Sequence, residues 1–237
     1  MHVELLTHTP EPELVVAAAA RLCYSNASIG ALLEKSRTER EAFLEKITSL
    51  GHLSVLEHVS FSFGVEGISR ACSHQLVRHR LASYSQQSQR YVSHKTRFEA
   101  VTPASIAERP ELTERYRQML EQIHGFYAEM LEAGVPAEDA RFILPNAATT
   151  KIVVTMNGRE LLHFFELRCC RRAQWEIQEL AKQMLGLVRP LAPILFAKAG
   201  PGCLRGPCPE GEMTCGAIRE VRAEFAQAAA EDTSAHV

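Results

Sequence analysis

Long uncharged apolar runs are missing from this chain, and none approaches the roughly 20 residues that a membrane-spanning helix requires. The opening MHVELLTHTPEPE also lacks the charged-then-apolar pattern of a secretory leader. We therefore expect a soluble, cytoplasmic protein with no membrane partner. A positive excess is missing as well: 26 Lys plus Arg stand against 28 Asp plus Glu, for a net charge of -2. Domains that live on phosphate-backbone contacts are usually basic, so bulk charge argues against a nucleic-acid partner while allowing a local patch. Neither GxGxxG nor the phosphate-loop pattern GxxxxGK followed by Ser or Thr occurs, so any nucleotide is held by another device. Seven cysteines exclude a fully paired disulfide framework in the monomer, and a chain of this length needs none.

What is present is enough apolar material for one core: 46% of 237 residues are hydrophobic. A single domain over 1–237 is expected, with a cysteine-bearing segment at about 200–216. Val3–Leu6 reads as a short strand and Leu14–Leu22 as a helix. Thr38–Leu50 reads as a helix capped by Thr38 and stopped by Gly51. In His58–Val65 the residues Val59, Phe61, Phe63 and Val65 alternate with polar or small ones, the period of a half-buried strand. A helix from Ser69 towards Arg80 would put Gln75, Arg78 and His79 on one side. Glu111–Ala133 reads as a long helix ended by Gly134. Lys151–Met156 reads as a strand, and Asn157 with Glu160 as a cap opening a helix that runs to about Val188. Few strands and no regular strand–helix alternation predict an α+β fold.

Four groups of residues carry chemistry. Arg78–Tyr91, RHRLASYSQQSQRY, concentrates cations, hydroxyls and amides. Arginine forks match phosphate and carboxylate, serines donate to phosphate oxygens, and Gln86, Gln87 and Gln89 each offer a donor and an acceptor. A solvated loop, an RNA contact and a phosphorylated small ligand all fit that chemistry. His52, with Glu57 and His58 behind it, reads as an acid–base group, a ring stacker or a cap. In ELRCCRRAQWEIQELA, Arg168 and Arg172 lie one helical turn apart and call for anionic neighbours. Cysteines fall at Cys169, Cys170, Cys203, Cys208 and Cys215. The intervals C-x4-C-x6-C do not match the short pairs of a compact zinc site; distant ligands need no short spacing, so free thiols are expected, with a soft metal or a disulfide as alternatives, and no metal ligand is assigned.

Arg78-His79-Arg80, seven residues, then Ser88 with Arg90 beyond resembles the signature of flavin-dependent thymidylate synthases. Gly51-His52 with Glu57-His58, Leu144-Pro145 followed by Thr155-x-Asn157-x-Arg159, and Leu167-Arg168 to Ala173-Gln174-Trp175-Glu176-Ile177 resemble three further segments of that family, in order. The resemblance implies a central mixed or antiparallel sheet flanked by long helices, and a homotetramer with FAD as cofactor. It implies dUMP as methyl acceptor, 5,10-methylenetetrahydrofolate as one-carbon donor and NADPH as reductant. His52, Arg78, His79, Arg80, Arg168 and Arg172 would serve the flavin. Gln75, Arg78, Gln86, Gln87, Ser88, Gln89, Arg90 and Lys151 would serve the nucleotide, with Arg90, His52 and Arg78 closest to the chemistry. The sequence departs from the family at Ser85-Gln86-Gln87, where many relatives carry an Asn-Glu pair, and at Lys151, where some carry arginine. Two rival readings use the same residues: a nucleic-acid-binding domain acting through Arg78, Arg80 and Arg90, and a flavin-dependent RNA uridine methyltransferase.

Overall fold

A computed structural model describes residues 1–92 and 98–234 of the chain. Four strands, β1 (His2–His8), β2 (Ser60–Ser69), β3 (Ala82–Gln86) and β4 (Thr149–Asn157), form an antiparallel sheet in the order β1-β2-β4-β3. Helices α1 (Pro12–Leu22), α2 (Ile29–Thr38) and α3 (Glu41–Ser49) precede β2, and α4 (Arg70–Leu76) follows it. After β3 come α5 (Ala104–Ala107), α6 (Pro110–Glu132) and α7 (Ala137–Ala140). After β4 come α8 (Gly158–Arg168), α9 (Trp175–Val188) and α10 (Ile218–Ser234). The arrangement is compatible with the expected α+β class. No helix among the described residues is long and apolar enough to cross a membrane.

Chain contacts divide the molecule into two compact units. The first takes Met1–His2, Val65–Arg78 and the described residues of Tyr84–Val153. The second takes Val3–Gly64, His79–Ser83 and the chain from Val154 onward. In the second unit Phe61 and Phe63 of β2, Val154 and Met156 of β4, and Leu161, Phe164 and Phe165 of α8 are all buried. Phe196 meets Phe61 edge-on at 5.6 Å and Phe165 at 6.1 Å. Gly158, which opens α8, lies so close to Leu56 that a Cβ there would stand 3.0 Å from its carbonyl oxygen. In the first unit Val65, Ile68, Leu76, Phe98, Tyr127 and Ile152 are buried. Tyr127 is the one buried residue of the 23-residue α6.

The period-two reading of β2 holds because the strand buries alternate residues, and β4, expected only as a strand, does the same. Gly51 and Gly134, at φ of 74° and 86°, occupy the left-handed region beyond the ends of α3 and α6. Other expectations are corrected. Thr38 ends α2 rather than capping α3, and Leu53–His58 is a 3-10 turn, so β2 starts only at Ser60. The helix expected to reach Arg80 stops at Leu76, with Arg78 in the turn after it. The helix expected from Asn157 to about Val188 is two helices, broken at Cys169–Gln174. The break stabilises itself: Gln174 accepts from the amides of Glu176 and Ile177 at 3.1 and 3.2 Å, and Gln178 donates to the Cys170 carbonyl at 2.8 Å.

Candidate functional site

In the second unit the central feature is His79, only 4% exposed. Its Nδ1 lies 3.2 Å from Glu160 Oε1, and its Nε2 accepts from Arg168 Nε at 3.0 Å. An accepting Nε2 puts the ring proton on Nδ1, which donates to the carboxylate. The imidazole is therefore neutral, which agrees with a pKa held down to about 4 by burial first, then by the charges of Arg168 and His163. Phe164 packs its edge against the ring at 4.9 Å. Burial raises the Glu160 pKa, with the His163 charge opposing. Glu160 also occupies the first turn of α8, where its amide donates to Asn157 Oδ1 at 2.8 Å. The cap foreseen from the sequence thus forms, while the carboxylate turns to His79. The outcome is a guanidinium at the end of α8, Arg168, whose direction is set by a buried imidazole.

Arg80 and His52 are exposed. His52 precedes the 3-10 turn but makes no side-chain cap, and its ring stands 6.1 Å from Tyr24. Glu57 pairs with Arg159 at 2.6 Å. Arg172 does not share a helical face with Arg168, because α8 has ended. It donates to the Met213 carbonyl at 2.5 Å and lies 3.9 Å from Glu210.

In the first unit Arg78 is exposed, and Gln75, Gln87, Ser88 and Gln89 are half-buried. Neither Arg78 here nor Arg80 of the second unit has a side-chain hydrogen bond or ion pair among the described residues. Gln86 donates to Ser73 Oγ at 2.9 Å and Thr150 Oγ1 at 3.2 Å, which locks the end of β3. The amide of Gln87 donates to the Lys151 carbonyl at 2.9 Å, and Ser88 Oγ accepts from the Arg90 amide at 3.1 Å. Arg90 is ion-paired with Glu138 and sits 5.3 Å from the centre of the Tyr91 ring. Lys151 pairs with Glu66 at 3.1 Å. The expectation that Gln75, Arg78 and His79 line one helical face fails, since His79 lies beyond the helix and is buried in the second unit. Glu160 was foreseen as a cap, and Glu138, Glu66 and His163 were not foreseen as partners. Nothing in local spacing connects residue 79 to residue 160 or residue 90 to residue 138.

Two sets of cations thus result: in the second unit Arg168, fixed by His79, and Arg80, unpaired among the described residues; in the first Arg78, unpaired among them, with Arg90 and Lys151, each ion-paired to an exposed carboxylate. A family model described as thymidylate synthase complementing protein matches residues 4–194. A flavin-dependent thymidylate synthase of Geobacter sulfurreducens is 59% identical over 95% of this chain and 98% of its own length. One of Nitratidesulfovibrio vulgaris is 52% identical over 90% and 94%, and one of Pyrococcus furiosus 43% identical over 97% and 98%. With the family signature spread across both sets of cations and the likeness running nearly end to end, the chain belongs to the flavin-dependent thymidylate synthase family.

Proposed function

We infer that this chain is a flavin-dependent thymidylate synthase that converts dUMP to dTMP. The one-carbon unit comes from 5,10-methylenetetrahydrofolate, and NADPH reduces the bound FAD. The observation that carries the reading is Arg78-His79-Arg80: two exposed guanidiniums with no acidic partner among the described residues flank a buried neutral histidine that orients Arg168. A flavin diphosphate needs cations that no carboxylate already neutralises, and Arg78 and Arg80 meet that requirement. Bound flavin supplies the hydride for the reductive step. The protein's share is to bind, orient and stabilise charge.

In this reading Arg78, Arg80 and Arg168 hold the cofactor, and His79 is a positioning residue acting through Arg168. Arg172 contributes from the turn after α8, and His52 packs at the flavin ring, where it gates folate or reductant. Arg90 leaves Glu138 for the dUMP phosphate or the uracil oxygens. Charge placed at those oxygens favours electron density moving onto the pyrimidine. Ser88 and Lys151 add phosphate contacts, while Gln75, Gln87 and Gln89 supply amide donors and acceptors. Gln86 keeps β3 in place against Ser73 and Thr150, and its amide cannot act as a base. The active assembly is a homotetramer.

The visible spectrum of the purified protein, followed by a dUMP titration, tests the reading. Bands near ~375 and ~450 nm that shift with dUMP are expected for a protein-bound flavin next to the nucleotide. Protein that stays colourless after incubation with FAD and desalting would overturn it. Tight, salt-sensitive binding of long polyanions would then favour a nucleic-acid-binding role for the same arginines.

A further inference from the structure

No residue assigned above to cofactor or nucleotide lies in the segment Gly200–Gly216, GPGCLRGPCPEGEMTCG, yet it carries three of the seven cysteines. It contains only two short 3-10 turns, Gly202–Leu204 and Gly211–Met213. Its chain folds back tightly on itself: a Cβ added to Gly202 would lie 2.8 Å from Pro209 Cγ. Cys203 and Cys208 are the residues immediately inside that pinch, so the closure at 202 and 209 brings them towards each other. Arg222 of α10 fastens the same loop by donating to the Cys203 carbonyl at 2.9 Å and the Gly206 carbonyl at 2.8 Å. The far end of the segment grips Arg172 through the Met213 carbonyl and Glu210.

None of the seven cysteines is joined in a disulfide. Among the described residues no three His, Cys, Asp or Glu side chains are grouped to hold a metal ion. We propose that Cys203 and Cys208 form an oxidisable pair whose disulfide closes the 203–208 loop beside the stretch that holds Arg172. Their reactivities differ in the required sense. Cys203 is buried, and burial, then neighbouring thiol charge with Cys208 first, pushes its pKa up. Cys208 is half-buried. Cys208 is thus the attacking thiol and Cys203 the resolving one.

With a small-molecule disulfide as oxidant, the Cys208 thiolate attacks one of its sulfurs and expels the other half as a thiolate. Cys203 then loses its proton and attacks Cys208 Sγ, expelling the second half. Two thiol protons and two electrons leave the protein, and the oxidant becomes two thiols.

The test treats the folded, full-length protein with oxidised glutathione, blocks remaining thiols under denaturing conditions, and digests with trypsin and a glutamate-specific protease. Cleavage after Arg205 separates Cys203 from Cys208, and cleavage after Glu210 separates Cys208 from Cys215. The expected result is one linked species joining the Cys203 and Cys208 peptides, split by reductant and absent from Cys208→Ser. Absence of that species at full exposure to oxidant overturns the proposal, as does a link from Cys203 to Cys170 or Cys215. One zinc per chain in the purified protein, lost in Cys208→Ser, overturns it in favour of a metal site.

Discussion

The buried imidazole of His79 makes the strongest quantitative prediction, because its environment assigns both its tautomer and its charge. An unfolded chain protonates this ring at the ordinary value near 6.5, whereas the folded ring refuses the proton until about pH 4. Between those values the unfolded state binds more protons, so stability falls as pH drops through the window and levels off below it. The full shift corresponds to about 3 kcal/mol, of which about 2.4 kcal/mol is lost between about pH 7 and about pH 4.5. Glu160, whose pKa is raised by the same burial, works in the opposite direction and trims that figure. For a chain of this size the loss is about 5–10 °C in Tm. The comparison is wild type against His79→Gln at both pH values and one protein concentration, so that other carboxylates titrate equally in both. The extra acid sensitivity belongs to wild type alone. Equal pH dependence of the two proteins would refute the argument. So would an imidazole NMR titration showing His79 protonated above about pH 6 in the folded wild type.

Replacing either Arg78 or Arg80 by alanine should weaken flavin binding by about 10- to 100-fold, the worth of a charge-assisted hydrogen bond, measured by flavin titration. Thermal stability should change little, since neither guanidinium has a partner among the described residues to leave behind. Glu138→Gln should tighten dUMP binding by about two- to fivefold by releasing Arg90 from an exposed ion pair, read by quenching of flavin fluorescence. Gly158→Ala should cost about 1–3 kcal/mol in urea unfolding, because the new methyl meets the Leu56 carbonyl and Val59 Cγ2 at 3.0 and 3.1 Å. Gln174→Ala should cost about 1 kcal/mol in the same assay, through the two amides it leaves unbonded at the start of α9.

Several elements were legible because their signals are local. Phe61, Phe63 and Val65 alternate with small or polar neighbours, so β2 announced its buried face, and Asn157 announced the start of α8. The hidden boundaries are those set by unusual caps or weak propensity. Gln174 is a rare helix cap, so a run of helix formers concealed the break between α8 and α9. Helix α2, whose Gly30 lowers its propensity, passed unnoticed although Ser28 caps it by accepting from Ala31.

By itself, the sequence determined the family and the residue types available for phosphate recognition, because the spaced Arg78-His79-Arg80 and Ser88 pattern needs no three-dimensional context to be read. Only the tertiary structure decided which of those residues remain available. It buried His79 between Glu160 and Arg168, committed Gln86 to Ser73 and Thr150, paired Arg90 with Glu138, and left Arg78 and Arg80 without carboxylate partners among the described residues. The physical reason is range. Secondary-structure signals act within a few residues of the chain, whereas charge pairing and desolvation depend on distance in space, which brings residue 79 to residue 160.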